Sequence, residues 1–440
     1  MGDVTIIKNS DSSNQFVLMV SYYYPPVEHA GTRRIGKFVK YLPEFGFSPI
    51  ILTTKTRGIL ADDAENSIFR ADDLLGIFKQ IYRNFRLKDV PVEQRANIGL
   101  LPPNSKIQQW KNTHLIPDPY IIWYPFARSL GYKVLKKYPI PIIYSTSPPE
   151  TNHLVALNLK KKTGLPWVAD FRDGWMFEPL RPIRLTSIFR NKIEAKMEKS
   201  VLQNADKIIV VNDVFRHDLH HRFPNISHKI SVITNGYDQD DFKNIKRQRN
   251  DTNTFRLVYT GSLSASKKGR SIKGLLETLD KLAEKSLDIM NNLEIILVGN
   301  ILPAEVLAIQ STRVGKFFTF VGQVPYQQAL QYQMDADVLL LVTTPAQRSI
   351  STSKLFEYLV TGNPILALSG QSAASEIVMR LKAGIVVEPN NHVEIEHALQ
   401  IFYKQWQSDT LIKQINKQVH QFDRRNLTQK LANIFDILIT

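Results

Sequence analysis

The stretch SISTSKLFEYLVTGNPILAL, residues 349–368, decides the fold. Leu355, Phe356, Leu359 and Val360 recur at the spacing of an apolar helical stripe, which predicts a short amphipathic helix. Gly362 suits a left-handed C-terminal cap, and Pro364 forbids continuation. Ile365-Leu366-Ala367-Leu368 then reads as a buried strand. Lys354, Glu357 and Thr361 fall on the opposite face of the helix. A Lys354–Glu357 pair within one helix is worth only about 0.2–0.5 kcal/mol. The other reading is that both residues wait for a ligand at the helix start.

Working outward, the helix-then-strand texture repeats in two series. FVLMVSY (16–22), SPIILTT (48–54), PIIYSTS (141–147), PWVADFRD (166–173), DKIIVVN (206–212) and ISVITNG (230–236) read as strands of the first. Amphipathic helical patterns such as 31–46 and 151–164 lie between them. FRLVYTG (255–261), LEIILVG (293–299), FFTFVG (317–322), DVLLLVT (337–343) and GIVVEP (384–389) make the second series, into which the opening stretch fits. Strands alternating with helices indicate parallel sheets covered on both faces. The predicted fold class is therefore α/β, with two doubly wound, Rossmann-like domains.

The expected amino-terminal domain is 1–236, the linker 237–254 and the carboxy-terminal domain 255–440, with the last helix either staying there or returning to the first domain. Residues 60–118 read as an insertion carrying one or two short helices. Its Phe69, Leu74, Leu75, Ile77, Phe78, Ile81, Tyr82 and Phe85, interleaved with Lys79, Arg83, Arg86 and Lys88, could lie on a bilayer or form an ordinary helical flap.

Composition narrows the classes. Hydrophobic content of 43% and charged content of 22% are those of a globular chain of 440 residues, long enough for two or three domains. There is no cysteine, so disulfides and thiolate metal sites are excluded. The start lacks the pattern of a signal peptide, and no apolar run is long enough for a spanning helix. The net charge of +15 favours an anionic partner: nucleic acid, an acidic bilayer or a phosphorylated small molecule. No interleaved aromatic and basic platform supports nucleic acid.

Ligands of doubly wound folds sit beyond the carboxyl ends of the strands. In YYPPVEHAGTRR (23–34), Gly31 precedes a helix, and Arg33 and Arg34 occupy its first turn, where the helix dipole disfavours cations unless an anion is near. No G-x-G-x-x-G pattern is present there, so a dinucleotide is not indicated. In DFRDGWMFEP (170–179), Asp170, Arg172 and Asp173 can orient a polar substrate or form a structural ion pair. His153 reads as a helix-face histidine. In YTGSLSASKKGRSIKG (259–274), Gly261 permits close backbone approach, and Lys267, Lys268 and Arg270 supply charge for a diphosphate or form a solvated loop. Ser349, Ser351, Thr352 and Ser353 can leave amides facing an anion, with Lys354 beside them and Glu357 placed to accept from two adjacent hydroxyls. Asp238-x-Asp240 lies in the linker and reads as solvated rather than metal-binding. No metal site is expected.

These pieces together resemble GT-B fold glycosyltransferases, in particular the retaining family 4. YYYPPVEHAGTRRIGKFVKYLPEFGFSPIILT, STSPPETNHLVA with GLPWVADFRDGW, VITNGYDQDDF, YTGSL, VGQVPYQQAL and SKLFEYLVTGNPILAL carry the resemblance, in the family's order. It implies two domains facing across a cleft. It implies a ribose-binding role for Glu357 and diphosphate contacts from Lys267 and Lys268, aided by Lys354 beside Ser353 and by Gly261. Backbone groups near Val324 would hold the base, and Gly31 would let the first loop approach the transferring sugar. Two positions depart from the family. Ser349 stands where many relatives carry a second glutamate, and Ser147 where many carry a histidine, so Asp173 becomes the candidate catalytic group. Arg33, Arg34, Asp170 and Arg172 fall on the acceptor side.

The implied activity is metal-independent transfer of a sugar from a nucleotide diphosphate donor, UDP-sugar favoured, with retention. No cofactor is implied beyond the donor substrate. The acceptor is a saccharide or a lipid-linked saccharide for a bacterial envelope polymer, and the place of work the cytoplasm or the inner face of its anionic membrane. A sugar-nucleotide epimerase of the same fold and a non-catalytic degenerate relative are the alternatives.

Overall fold

The computed structural model describes residues 14–27, 30–55, 67–73, 106–178, 187–249, 253–263, 271–285, 288–344, 348–411 and 413–440, with the backbone alone at residues 30 and 106–109. The chain forms two compact units, Met1–Thr234 with Arg424–Thr440, and Asn235–Asp423.

The first unit holds a parallel sheet of seven strands: β1 (Gln15–Val20), β2 (Phe47–Thr54), β3 (Ile68–Ala71), β4 (Ile142–Ser147), β5 (Trp167–Phe171), β6 (Lys207–Val210) and β7 (Ile230–Val232). Their spatial order is β3-β2-β1-β4-β5-β6-β7, which reverses between β1 and β4. Successive side chains of a strand point to opposite faces. Leu18 and Val20 accordingly join one buried cluster with Leu52, Trp123 and Trp167, while Val17 and Met19 join another with Phe38 and Ile51. Both faces of β1 are buried, and its unbroken apolar run follows from that.

Helix α1 (Ala30–Tyr41) runs into a 3-10 turn that Gly46 closes at a φ of 83°. Among the described residues before Thr234, the other helices of this unit are α2 (Lys106–His114), α3 (Tyr124–Lys137), α4 (Thr151–Thr163), α5 (Ile188–Asn204) and α6 (Asp213–Arg222). The region expected as a helical insertion contributes strand β3, registered against β2 from Ile51–Ile68 to Thr54–Ala71. Four residues, IFRA, are too few for an alternation to show. Phe69 lies half-buried on β3 with its ring 5.7 Å from that of Tyr138, so it faces packed protein rather than a bilayer. Leu74, Leu75 and the basic-aromatic run 77–88 lie outside the described residues.

The second unit holds a parallel sheet of six strands: β8 (Phe255–Thr260), β9 (Leu293–Val298), β10 (Phe318–Gly322), β11 (Val338–Val342), β12 (Ile365–Leu368) and β13 (Gly384–Val387). Their order, β10-β9-β8-β11-β12-β13, again reverses beside the first strand, between β8 and β11. Helices α7 (Lys273–Glu284), α8 (Pro303–Gln310), α9 (Tyr326–Met334), α10 (Ser353–Thr361), α11 (Ala373–Arg380) and α12 (His392–Gln407) cover the faces. Helix α10 ends at Gly362, whose φ of 73° is the left-handed cap that the sequence predicts. Helix α13 (Arg424–Ile439) belongs to the first unit, where Phe435 packs on Phe47 and Tyr144. Each unit is thus a doubly wound sheet, and in each the reversal point directs attention to the loops after two strands.

Candidate functional site

In the second unit those loops follow β8 and β11. Gly261 ends β8 at a φ of 121°, and a Cβ there would collide with the Lys354 ammonium. The glycine therefore admits the Lys354 side chain over the turn. Its Nζ donates to the Tyr259 hydroxyl at 3.2 Å and lies 4.5 Å from that ring's centroid. Thr352 is the N-cap of α10, yet its hydroxyl makes no capping hydrogen bond. The helix thus opens on backbone N–H groups beside Lys354, the arrangement that favours an anion.

Glu357 lies one turn further and is only 4% exposed. Its Oε1 accepts from the Tyr326 hydroxyl at 3.1 Å and its Oε2 from Gln333 Nε2 at 3.1 Å. Gln333 Nε2 also donates to Thr260 Oγ1 at 3.0 Å, which ties the carboxylate to the end of β8. The Tyr358 hydroxyl accepts from the Thr260 amide at 3.0 Å, and burial pushes that phenol well above its ordinary value. An ionised carboxylate has about four acceptor positions on its two oxygens, and its chemistry suits adjacent hydroxyl donors. Val324, in the loop after β10, is partly buried against the same core. Ser349 is buried and Ser353 half-buried at the start of α10. Lys267, Lys268 and Arg270 lie outside the described residues. Gly261, Lys354 and Glu357 are the sequence-predicted residues that the fold brings together. Tyr326 and Gln333, which fix Glu357, went unread because each sits in a plain amphipathic helix.

In the first unit the loops follow β1 and β4. Gly31 lies in the first turn of α1, with Arg33 exposed. Arg34, expected on the acceptor side, is instead buried and forms a fork with Asp170: Nε to Oδ2 and Nη2 to Oδ1, both at 2.8 Å. It also donates to the carbonyls of Ile233 and Thr234. Asp170 accepts further from Tyr144 and Thr146, at 2.6 and 3.0 Å. Burial would raise this carboxyl, but the Arg34 charge and these hydrogen bonds hold it below the ordinary carboxylate value. Arg34 and Asp170 are therefore a correction: they brace the sheet from within rather than meet an acceptor. Arg172 and Asp173 pair at the end of β5, at 3.0 Å, and both are partly exposed.

Asn152 links the reversal point, accepting from the Tyr22 amide after β1 and donating to the Thr146 carbonyl of β4. Asp118 accepts from the Thr151 amide and hydroxyl and from the Tyr120 amide. Glu150 lies against it. Burial, then the Asp118 charge, push the Glu150 carboxyl up to about 8, so that at neutral pH it carries a proton toward Asp118. Sequence reasoning missed Asp118 and Glu150, although Asp118 before Pro119 was a legible capping signal. His153 is a core residue: Ser145 Oγ sits 2.8 Å from its Nδ1, and burial pushes it down to about 3. Asp238 accepts from the Asp240 amide and caps the 3-10 turn Gln239–Phe242.

Two nucleotide-type α/β units, the second with a cation, helix-end amides and a braced glutamate at its reversal point, define a class of enzymes that handle nucleotide diphosphates. Residues 32–241 match the model of Glycosyltransferase Family 4, and residues 254–405 that of Glycosyl transferases group 1. The chain belongs to these family 4, group 1 glycosyltransferases of GT-B fold. No curated protein matches it. Among solved structures it is similar to a sucrose-phosphate synthase from Thermosynechococcus elongatus, at 15% identity and a TM-score of 0.67, covering 97% of this chain and 99% of that one. It is also similar to Anabaena HepE in complex with UDP and glucose, at 13% identity and a TM-score of 0.62, covering 96% and 100%. A third is WaaG, a glycosyltransferase involved in lipopolysaccharide biosynthesis, at 14% identity and 0.56, covering 95% and 99%.

Proposed function

We propose that this glycosyltransferase takes its sugar from a UDP-sugar held by the second unit and gives it to a saccharide or lipid-linked saccharide held by the first. The observation that carries the donor half is the Glu357 carboxylate, fixed by Tyr326 and Gln333 one turn above the Gly261–Lys354 contact. The ribose hydroxyls would donate to Glu357. Lys354 and the first amides of α10 would take the diphosphate, joined by Lys267 and Lys268. Backbone groups near Val324 would hold the base.

Transfer with retention follows if the acceptor oxygen attacks on the face from which the phosphate departs. The anomeric C–O bond to phosphate breaks, the new C–O bond forms, and the acceptor proton passes to the departing phosphate oxygen. Cations at that phosphate stabilise the charge that develops, so no protein nucleophile is required. Asp173, paired with Arg172, would orient the acceptor hydroxyl, and Gly31 would leave room for the transferring sugar. Bacterial envelope polymers at an anionic membrane are the setting proposed for the acceptor.

Thermal-shift titration with UDP-, GDP- and ADP-sugars tests the donor. A shift with UDP-sugars that exceeds the other two supports this assignment, and equal or absent shifts refute it. Incubation of a UDP-sugar with no acceptor also separates transfer from epimerisation, which would convert the sugar without one.

A further inference from the structure

Helix α5 sorts its charges by face. Its only acids, Glu194 and Glu198, are buried. Glu194 accepts from Arg190 Nε at 2.6 Å and from Trp175 Nε1 at 3.1 Å. Glu198 pairs with Arg222 at 2.6 Å. Lys192, Lys196 and Lys199 are exposed. At 3.6 residues per turn these lysines, Ile188 and Phe189 fall within about 100° of arc, and both glutamates lie on the far side. Ile188 is 79% exposed and Phe189 73%, although large apolar side chains at a helix start normally pack inward.

A second element is fastened to α5 through Arg190, on the side away from these lysines. Arg190 donates to the carbonyls of Asn112, Thr113, Leu115 and Pro117, between 2.7 and 3.2 Å, and so fastens the end of α2 to the first turn of α5. Trp110 on α2 is 55% exposed and stacks on His114. Bulky apolar tips beside a cationic, acid-free stem are what an interfacial bilayer contact requires: the tips enter the headgroup boundary and the lysines meet anionic lipid. A second copy is a poorer occupant, because a two-fold contact through this face would set its lysines against themselves.

We infer that Ile188 and Phe189, with Lys192, Lys196 and Lys199, form a docking surface for an anionic lipid bilayer. This deepens the acceptor half of the proposed function and is independent of the donor half. The contact on α5 is separate from the 69–88 stretch of the sequence reading, whose residues 74–88 lie outside the described residues.

Flotation of the full chain with phosphatidylglycerol-containing vesicles and with phosphatidylcholine vesicles tests it, alongside light scattering and UDP titration. The wild type is expected to float only with the anionic vesicles and to be released by salt. Ile188→Ser with Phe189→Ser, and separately Lys192→Glu with Lys196→Glu, should each weaken binding, the second by about 25-fold or more at about fivefold per lysine removed. UDP affinity should stay at the wild-type value in both variants, which also reports that they fold. Equal flotation on neutral lipid, no flotation, or variants that float like the wild type would overturn the docking surface and leave the donor reading intact. A dimer that the Ile188→Ser/Phe189→Ser variant dissociates would also overturn it, assigning the face to a second copy. Wild type that floats as described but ignores UDP would remove the donor reading and leave the surface.

Discussion

At the scale of single residues, the two units hold their carboxylates for opposite purposes. Asp170 is satisfied from every side and pairs with a buried guanidinium, so removing one partner strands the other charge. Asp170→Asn should therefore destabilise the first unit by about 3–5 kcal/mol, read by chemical denaturation, with UDP affinity of the second unit unchanged. Glu357, by contrast, accepts from Tyr326 and Gln333 at the start of a helix beside Lys354. Replacing Gln333 by Leu removes the tie to Thr260 and should weaken UDP binding by about tenfold, in line with one hydrogen bond to a charged group. Spacing put Glu357 and Lys354 on one face of a helix, and the family resemblance suggested their donor role. Gln333 and Tyr326 were not, because their meaning depends on a contact made 24 and 31 residues away.

Titration gives a further residue-scale prediction. The raised Glu150 carboxyl means that the folded first unit binds a proton that the unfolded chain releases, so stability falls as pH rises toward about 8. His153, held down to about 3, acts in the other direction: the unfolded imidazole takes a proton below its ordinary 6.5, and stability falls as pH drops through that range. The two slopes oppose each other between about pH 4.5 and 6.5, so the melting temperature should be level there and decline above about 6.5 and below about 4.5. Glu150→Gln, which keeps the shape of the protonated form, should flatten the alkaline limb between pH 6.5 and 8 and turn the level stretch between about pH 4.5 and 6.5 into a rise, since the slope opposing His153 is gone. Unchanged alkaline slope in that variant would rule out the shared proton with Asp118.

Among elements, the turn at Gly261 and the start of α10 act as one device. The glycine lies at a φ of 121°, and a methyl group there meets the Lys354 side chain. Gly261→Ala combines backbone strain of order 1–3 kcal/mol with displacement of the ammonium, and should cost at least about tenfold in UDP affinity. A tighter or equal affinity by calorimetry would separate the turn from the site. Central strands and the capped α10 were readable because buried parallel strands are unbroken apolar runs and Gly362 closes the helix. Strand β3 was not, since an edge strand of IFRA owes its conformation to β2 rather than to its own pattern. Arg34 misled for a related reason. A basic residue in a first helical turn looks like an anion site, and only the fold reveals Asp170, 136 residues away, as its partner.

For the whole molecule, two doubly wound sheets have the same reversal, and the proposed function assigns the donor to one and the acceptor to the other. Net charge of +15 suits both a diphosphate and an anionic surface, and the face-sorted lysines of α5 give part of that charge a location. Among the described residues no helix is long and apolar enough to cross a membrane. The central claim is that Glu357 reads the ribose of a uridine diphosphate. The most direct test is a calorimetric cycle with UDP and 2′,3′-dideoxy-UDP on the wild type and on Glu357→Ala. Loss of the hydroxyls should weaken binding to the wild type by about 10–100-fold, the value of hydrogen bonds to a charged group, and should change binding to Glu357→Ala by less than about twofold. Equal losses in the two proteins would contradict the assignment.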